Sequence, residues 1–91
     1  MAVTLQERQK FYDELIKSPS GYQNELQNLV AFEEETKFSE LYRELGSVGI
    51  IKNGIDGTLQ KRYSVTELGK EQIQSFLRVY NFWLLGRWNM L

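Results

Sequence analysis

Along the first seventeen residues, Phe11, Tyr12, Leu15 and Ile16 recur at helical spacing behind Thr4 and Glu7, which have the form of a capping box. Ser18-Pro19-Ser20-Gly21 stops the pattern, because proline disfavours helical geometry in the residue before it; a first helix is predicted over about Leu5 to Lys17. Tyr22, Leu26, Leu29 and Val30 then form one stripe of a second helix, with Gln23, Asn24, Gln27 and Asn28 on the other positions. Glu33-Glu34-Glu35 interrupts the periodicity, and Thr36 or Thr36-Lys37 is expected to cap a third helix. That helix places Phe38, Leu41, Leu45 and Val48 on one face, and Thr36, Ser39, Glu40, Arg43 and Ser47 on the opposite one. Gly46 and Gly49 end it. Ile50-Ile51-Lys52 reads as a short β-branched strand, Asn53-Gly54 and Asp56-Gly57 as turn dipeptides, and Leu59 to Val65 as an alternating strand. Thr66 is expected to cap a last helix carrying Leu68, Ile73, Phe76, Leu77, Tyr80, Trp83 and Leu84 on one stripe, and Val79, Phe82 and Leu85 on a second.

Composition sharpens this outline. The 91 residues are 42 % hydrophobic and 13 % aromatic, and Phe76, Tyr80, Phe82, Trp83 and Trp88 fall within the last sixteen. A chain this short has a small core, too small to absorb them all. Without Cys or His there is no disulfide framework, no ordinary zinc, haem or copper ligand set, and no Ser-His-Asp or Cys-His catalysis. No cofactor and no enzymatic activity are expected. Glu33-Glu34-Glu35 reads as a solvated run rather than a metal site, because consecutive carboxylates point in different directions. Gly46-Ser47-Val48-Gly49 has the GxxG form of a KH loop but lacks its basic residues, and no glycine precedes the Lys-Ser/Thr pair of a phosphate loop. The net charge of −1 gives no global attraction to nucleic acid or anionic lipid, so any such binding needs a local patch. The N-terminus lacks the basic start and apolar run of a secretory signal, and Phe82-Trp83-Leu84-Leu85 is far shorter than a membrane span; a cytoplasmic, nucleoid- or plasmid-associated protein is expected.

Three short helices followed by a hairpin describe a winged helix-turn-helix, a mainly α fold with a small β-hairpin (α+β). One domain is expected over 1–91, with a tri-helical core and two-stranded wing over about 4–66 and a dimerisation helix over about 66–88. Three segments carry a resemblance to a known family. Ser18-Pro19-Ser20-Gly21-Tyr22 with Leu26, Leu41-Tyr42-Arg43-Glu44-Leu45 followed by Gly49-Ile50-Ile51, and Arg62-Tyr63-Ser64-Val65-Thr66-Glu67-Leu68-Gly69 together resemble the PadR-like winged-helix proteins. The resemblance implies a homodimer on pseudo-palindromic double-stranded DNA, acting as a local repressor or autoregulator. The sequence is also similar to small crenarchaeal plasmid-partition proteins, which implies centromere binding, spreading on DNA and a second protein docking on the DNA-bound dimer. About twenty-five residues follow Thr66, fewer than the larger C-terminal regions of some members, so effector sensing is not expected.

On the third helix, Ser39 and Arg43 are expected at base edges and Lys37 near phosphate, Thr36 is a further DNA-binding candidate, and Glu40 is repelled by phosphates unless it accepts from cytosine or pairs with Arg43. The resemblance implies a phosphate or base contact for Tyr42, with packing against the wing as the alternative. Ser20, Tyr22, Gln23, Asn24 and Gln27 are candidates at the second helix and the approach to it. Lys52, Asn53, Lys61 and Arg62 are the wing candidates, for backbone or minor groove. Each set has an ordinary reading as solvated surface. The last sixteen residues hold eleven apolar side chains and only Arg78 and Arg87 as charges. A helix apolar on more than one face needs more than one packing partner, so Phe76, Val79, Tyr80, Phe82, Trp83 and Leu85 are expected at a symmetric dimer interface. A membrane-surface helix would need more Lys and Arg on its polar face. The competing function is a protein-interaction module that keeps the winged fold without binding DNA.

Overall fold

The computed structural model describes residues 3–89, with side chains described through residue 84. The order is α1 (Leu5–Lys17), β1 (Ser20–Tyr22), α2 (Gln23–Val30), α3 (Glu35–Ser47), β2 (Ile51–Ile55), β3 (Lys61–Val65) and α4 (Glu67–Asn89). This is the α+β winged helix expected from the element order, with one strand more than expected.

The capping box forms as predicted. Thr4 Oγ1 accepts from Glu7 N at 3.1 Å, and the Glu7 carboxylate accepts from Thr4 N at 2.9 Å. The same carboxylate receives Lys37 Nζ at 2.9 Å, while Arg8 Nη1 reaches Glu44 Oε2 at 2.6 Å, so two ion pairs tie α1 to α3. Beneath them Phe11 stacks on Phe38, and Phe38 on Tyr42, with ring centroids 5.3 and 5.5 Å apart. Leu15, Leu26, Val30, Leu41, Leu45, Ile50, Ile51, Tyr63, Ile73 and Leu77 complete the core.

Several sequence expectations shift. Helix α3 starts at Glu35, with Glu34 at its N-cap and no side-chain cap, so Thr36 lies inside the helix. Leu29, Val48 and Leu68 are about half exposed although the periodicity assigned them to buried stripes. The eight-residue α2 buries only its Leu26–Val30 edge, and Val48 falls beyond the last helical residue of α3. Asn53-Gly54 is not a turn but part of β2, paired with Tyr63 and Arg62. The reversal lies at Asp56, whose Oδ1 accepts from Thr58 N, Thr58 Oγ1 and Gln60 N at 2.8, 2.6 and 3.0 Å. Three donors on one carboxylate fix the turn there. The unexpected β1 pairs with the free edge of β3, giving the antiparallel order β1-β3-β2 with Gly21 opposite Tyr63. Three residues after a proline are too few to show alternation.

The wing meets α4 at one crowded point. Thr66 caps α4 by accepting from Gly69 N at 2.9 Å, donates its hydroxyl to Gly49 O at 2.6 Å, and donates its own N–H to Ile50 O at 3.0 Å. Gly49 takes the left-handed φ of +82° that lets the chain turn back into β2. A Cβ on Gly69 would lie 2.1 Å from Ile50 O, so only glycine lets the helix approach this closely. No helix among the described residues is long and apolar enough to cross a membrane.

Alanine ordinarily stabilises a helix interior relative to glycine by about 1 kcal/mol. At position 69 the sign should reverse: Gly69→Ala must push α4 off Ile50, and we expect a loss of about 3 kcal/mol in urea unfolding. A variant as stable as the parent would refute the contact.

Candidate nucleic-acid interface

The exposed face of α3, the start of α2 and the concave side of the wing enclose an open groove of about 640 Å³. It is lined by Gln23, Ser39, Tyr42, Arg43, Asn53, Gly54, Ile55, Lys61 and Arg62. Seven of these nine were candidates from sequence; Gly54 and Ile55 were missed because Asn53-Gly54 was read as a turn. Three cations and no carboxylate line the groove, in a chain whose net charge is −1. The positive charge is therefore local.

Two smaller hollows flank it. On the sheet, Ser20, Lys52, Asn53, Gly54, Arg62, Tyr63 and Ser64 line one of about 350 Å³. Between the α2 start and the wing tip, Tyr22, Gln23, Asn24, Glu25, Leu59, Gln60 and Lys61 line another of about 530 Å³. Asn53, Gly54 and Arg62 are shared by the groove and the first hollow, and Gln23 and Lys61 by the groove and the second, so the polar surface is continuous.

Individual candidates sort by burial and partner. Thr36, Ser39, Arg43, Ser20, Asn24, Lys52, Asn53, Lys61 and Arg62 are exposed, and Glu40, Gln23 and Gln27 are half-buried. Gln27 and Thr36 line none of the three hollows. Lys37 does not stand ready for a phosphate. Its ammonium is held by Glu7, which raises the lysine pKa; the carboxylate is lowered, first by the Thr4 backbone N–H and then by Lys37.

Of the two readings for Tyr42, its burial agrees with packing. It is 7 % exposed, and its hydroxyl is buried with no hydrogen-bond partner among the described residues. Burial pushes the phenol up to about 12, so it stays neutral and forms the floor of the groove through its ring rather than a surface contact. Tyr22 is occupied too. Arg62 lies over its ring at 4.7 Å, and its hydroxyl lies against the Asp56 carboxylate, which raises the phenol pKa. These contacts brace the wing against the α2 start.

The dimer candidates divide in the same way. Phe76 meets the edge of Tyr12 at 5.0 Å and stacks on Tyr80, which is 9 % exposed, so both pack within the chain. The short α1 leaves α4 room to pack back on it, which the helical stripe alone did not show. Val79, Phe82 and Trp83 remain exposed, at 66, 77 and 48 %. Leu5, missed from sequence, joins Phe76, Val79, Tyr80 and Trp83 around an apolar hollow of about 270 Å³. Leu85 lies outside the residues whose side chains are described.

No protein-family model matches the chain, and no curated protein matches it significantly. Solved structures do. It is similar to MepR, a transcription regulator of the Staphylococcus aureus multidrug efflux pump MepA, at 17 % identity and TM-score 0.68 over 98 % of this chain and 65 % of that one. A MarR family transcriptional regulator from Silicibacter pomeroyi matches at 17 % identity and TM-score 0.64, over 81 % of this chain and 50 % of that one. A point mutant of S. aureus MepR bound to an oligodeoxyribonucleotide matches at 16 % identity and TM-score 0.64, over 98 % and 65 %. These likenesses establish the winged-helix fold. The chain spans less than two thirds of the length of each of these three, and the PadR-like resemblance is carried by the sequence segments alone.

The Asp56 carboxyl is held at about 2, chiefly by the Thr58 hydroxyl and then by the Gln60 N–H. A carboxyl depressed on folding adds stability above its unfolded pKa and loses it as pH falls through the folded value. In an NMR titration the Thr58 and Gln60 amides should therefore move together only near pH 2. Inflections in the ordinary carboxylate range would contradict the turn.

Proposed function

We propose that the protein is a non-enzymatic, homodimeric, site-specific double-stranded DNA-binding regulator of the winged-helix type. The observation that carries this reading is the groove: three cations from two separate elements converge on one concave surface whose lining holds no carboxylate. Helix α3 presents Ser39 and Arg43 to base edges in the major groove, where a bidentate Arg–guanine pair discriminates by about 1–3 kcal/mol. The sugar-phosphate strand passes between α3 and the wing, within reach of Lys61 and Arg62, while Lys52, Asn53 and Ser20 extend the polar track across the sheet. Oligonucleotide binding by the MepR mutant supports the reading by analogy of fold. The PadR-like segments favour an operator-binding repressor or autoregulator; a centromere-binding partition protein would use the same surface and spread along DNA.

Binding to a duplex enriched by selection from a randomised pool tests this. Four phosphate-directed groove cations per dimer, Lys61 and Arg62 from each subunit, predict a log–log salt slope of about −4, and losing Lys61 from both subunits should flatten it by about 2. Arg43→Glu and Lys61→Glu should each weaken binding by about a hundredfold or more. If both variants bind DNA as the parent does, the groove is not the DNA surface; if they also lose a protein partner, the groove serves a protein-interaction module in a winged fold.

The dimer is proposed to form through Val79, Phe82 and Trp83 of α4, with Leu5 at the margin. Burying an aspartate there without a partner would cost several kcal/mol. Trp83→Asp should convert the dimer to monomer in light scattering while leaving the helical circular dichroism unchanged. A dimer mass that persists in this variant would place the interface elsewhere.

A further inference from the structure

The end of the wing carries two exposed apolar side chains, Ile55 and Leu59, on either side of the Asp56 turn. Leu59 is the most exposed large apolar side chain among the described residues, at 83 %, and Ile55 is exposed at 65 %. Neither belongs to the core. Leu59 also has a φ of +64°, the left-handed conformation that glycine or asparagine adopts readily and a branched aliphatic residue adopts at a cost. The turn does not need leucine. Its N–H bonds Asp56 O at 3.0 Å and the Asp56 carboxylate gathers Thr58 and Gln60, and none of these bonds uses the Leu59 side chain. A residue that is costly at this φ and exposed to solvent calls for an external occupant.

The surroundings indicate which one. Ile55 lines the groove beside Lys61 and Arg62, and Leu59 lines the adjoining hollow beside the same Lys61, so the two apolar side chains flank a cation. An apolar protein partner would have to bury these charges. A DNA strand would pair with them and leave the tip against the edges and faces of bases. Apolar wedges of this kind enter the minor groove, partly unstack a base step and kink the duplex by roughly 20–90°.

We infer that the wing tip is such a wedge: Leu59, backed by Ile55, enters the minor groove and opens a base step, while Lys61 and Arg62 hold the adjacent phosphates. The inference rests on the DNA-binding reading and adds a mode of recognition to it. Specificity then has a second source, because pyrimidine–purine steps unstack most easily and will be preferred under the tip although no polar group reads them.

The test uses the full chain and a selected duplex carrying 2-aminopurine at successive positions outside the α3 footprint. The parent should raise fluorescence at one step and bend the duplex in a circular-permutation gel shift. Leu59→Gly suits the positive φ, so it should melt no lower than the parent, yet bind about tenfold more weakly and leave the duplex unbent and dark. Leu59→Phe should keep both signals. A Leu59→Gly variant that bends and lights the duplex as the parent does overturns the wedge and leaves the DNA reading intact; a parent that binds no selected duplex overturns both.

Discussion

The contact that orders the molecule is the approach of α4 to the backbone of Ile50. At that point α3 has just ended, β2 is about to begin, β3 has just finished and α4 starts, and all four are joined within a few residues. The Ile50 N–H closes α3 by bonding Leu45 O at 2.9 Å, and its carbonyl receives Thr66 N from the far end of the hairpin. Gly69 lets the helix backbone lie against that carbonyl, and the Thr66 hydroxyl ties the same helix to Gly49. Because the hairpin leaves and returns through one junction, its direction relative to α3 is set there.

The groove follows from that direction. Arg43 on α3 and Lys61 and Arg62 on β3 are far apart in sequence, and they share a surface because the junction folds the sheet alongside the helix. The α2 start closes the other side: Tyr22, paired with Arg62 across β1 and β3, lies under the guanidinium and against Asp56. A near-neutral chain thus concentrates three cations on one surface by topology rather than by composition, and three of its acidic residues are engaged away from that lining. Glu7 and Glu44 hold Lys37 and Arg8 between α1 and α3, and Asp56 is consumed by its own turn.

Patterns local in sequence were legible. The bounds of α1, its capping box, the order of the helices and the hairpin, and the Thr66 cap all follow from spacing and cap chemistry. What was not legible depends on distant partners. Strand β1 exists because β3 has a free edge, and of the two turn dipeptides Asp56-Gly57 makes the reversal while Asn53-Gly54 is drawn into β2 by pairing with Tyr63 and Arg62. Lys37 and Tyr22 looked available because Glu7 and Asp56 are remote from them in sequence. Tyr42 looked like a border residue because the helical wheel does not include the wing that covers it. The exposure of Ser39, Arg43, Lys61 and Arg62 was legible because it is a property of their own elements, whereas their convergence on one groove is a property of the fold.

The aromatic excess of the last helix resolves into two parts with different consequences. Tyr12, Phe76, Tyr80 and Trp83 form a chain of ring contacts with centroids 5.0, 5.9 and 6.2 Å apart, running from α1 outward along α4. This ladder fixes α4 to the core well beyond the Gly69 junction, so the helix has two anchors. Val79 borders this ladder, sharing an apolar hollow with Phe76, Tyr80 and Trp83, and Phe82 stands exposed at 77 %. At 1.5 Å per residue, the thirteen residues from Gly69 to Phe82 place the exposed apolar face about 20 Å along the axis from the wing junction. A second copy packed there would be connected to each wing by a helix fastened at both points, so the separation of the two grooves would be set by helix geometry rather than by a flexible linker. Half-site spacing on DNA would then be a property of α4, and a substitution that tilts it at Gly69 would change spacing preference as well as stability.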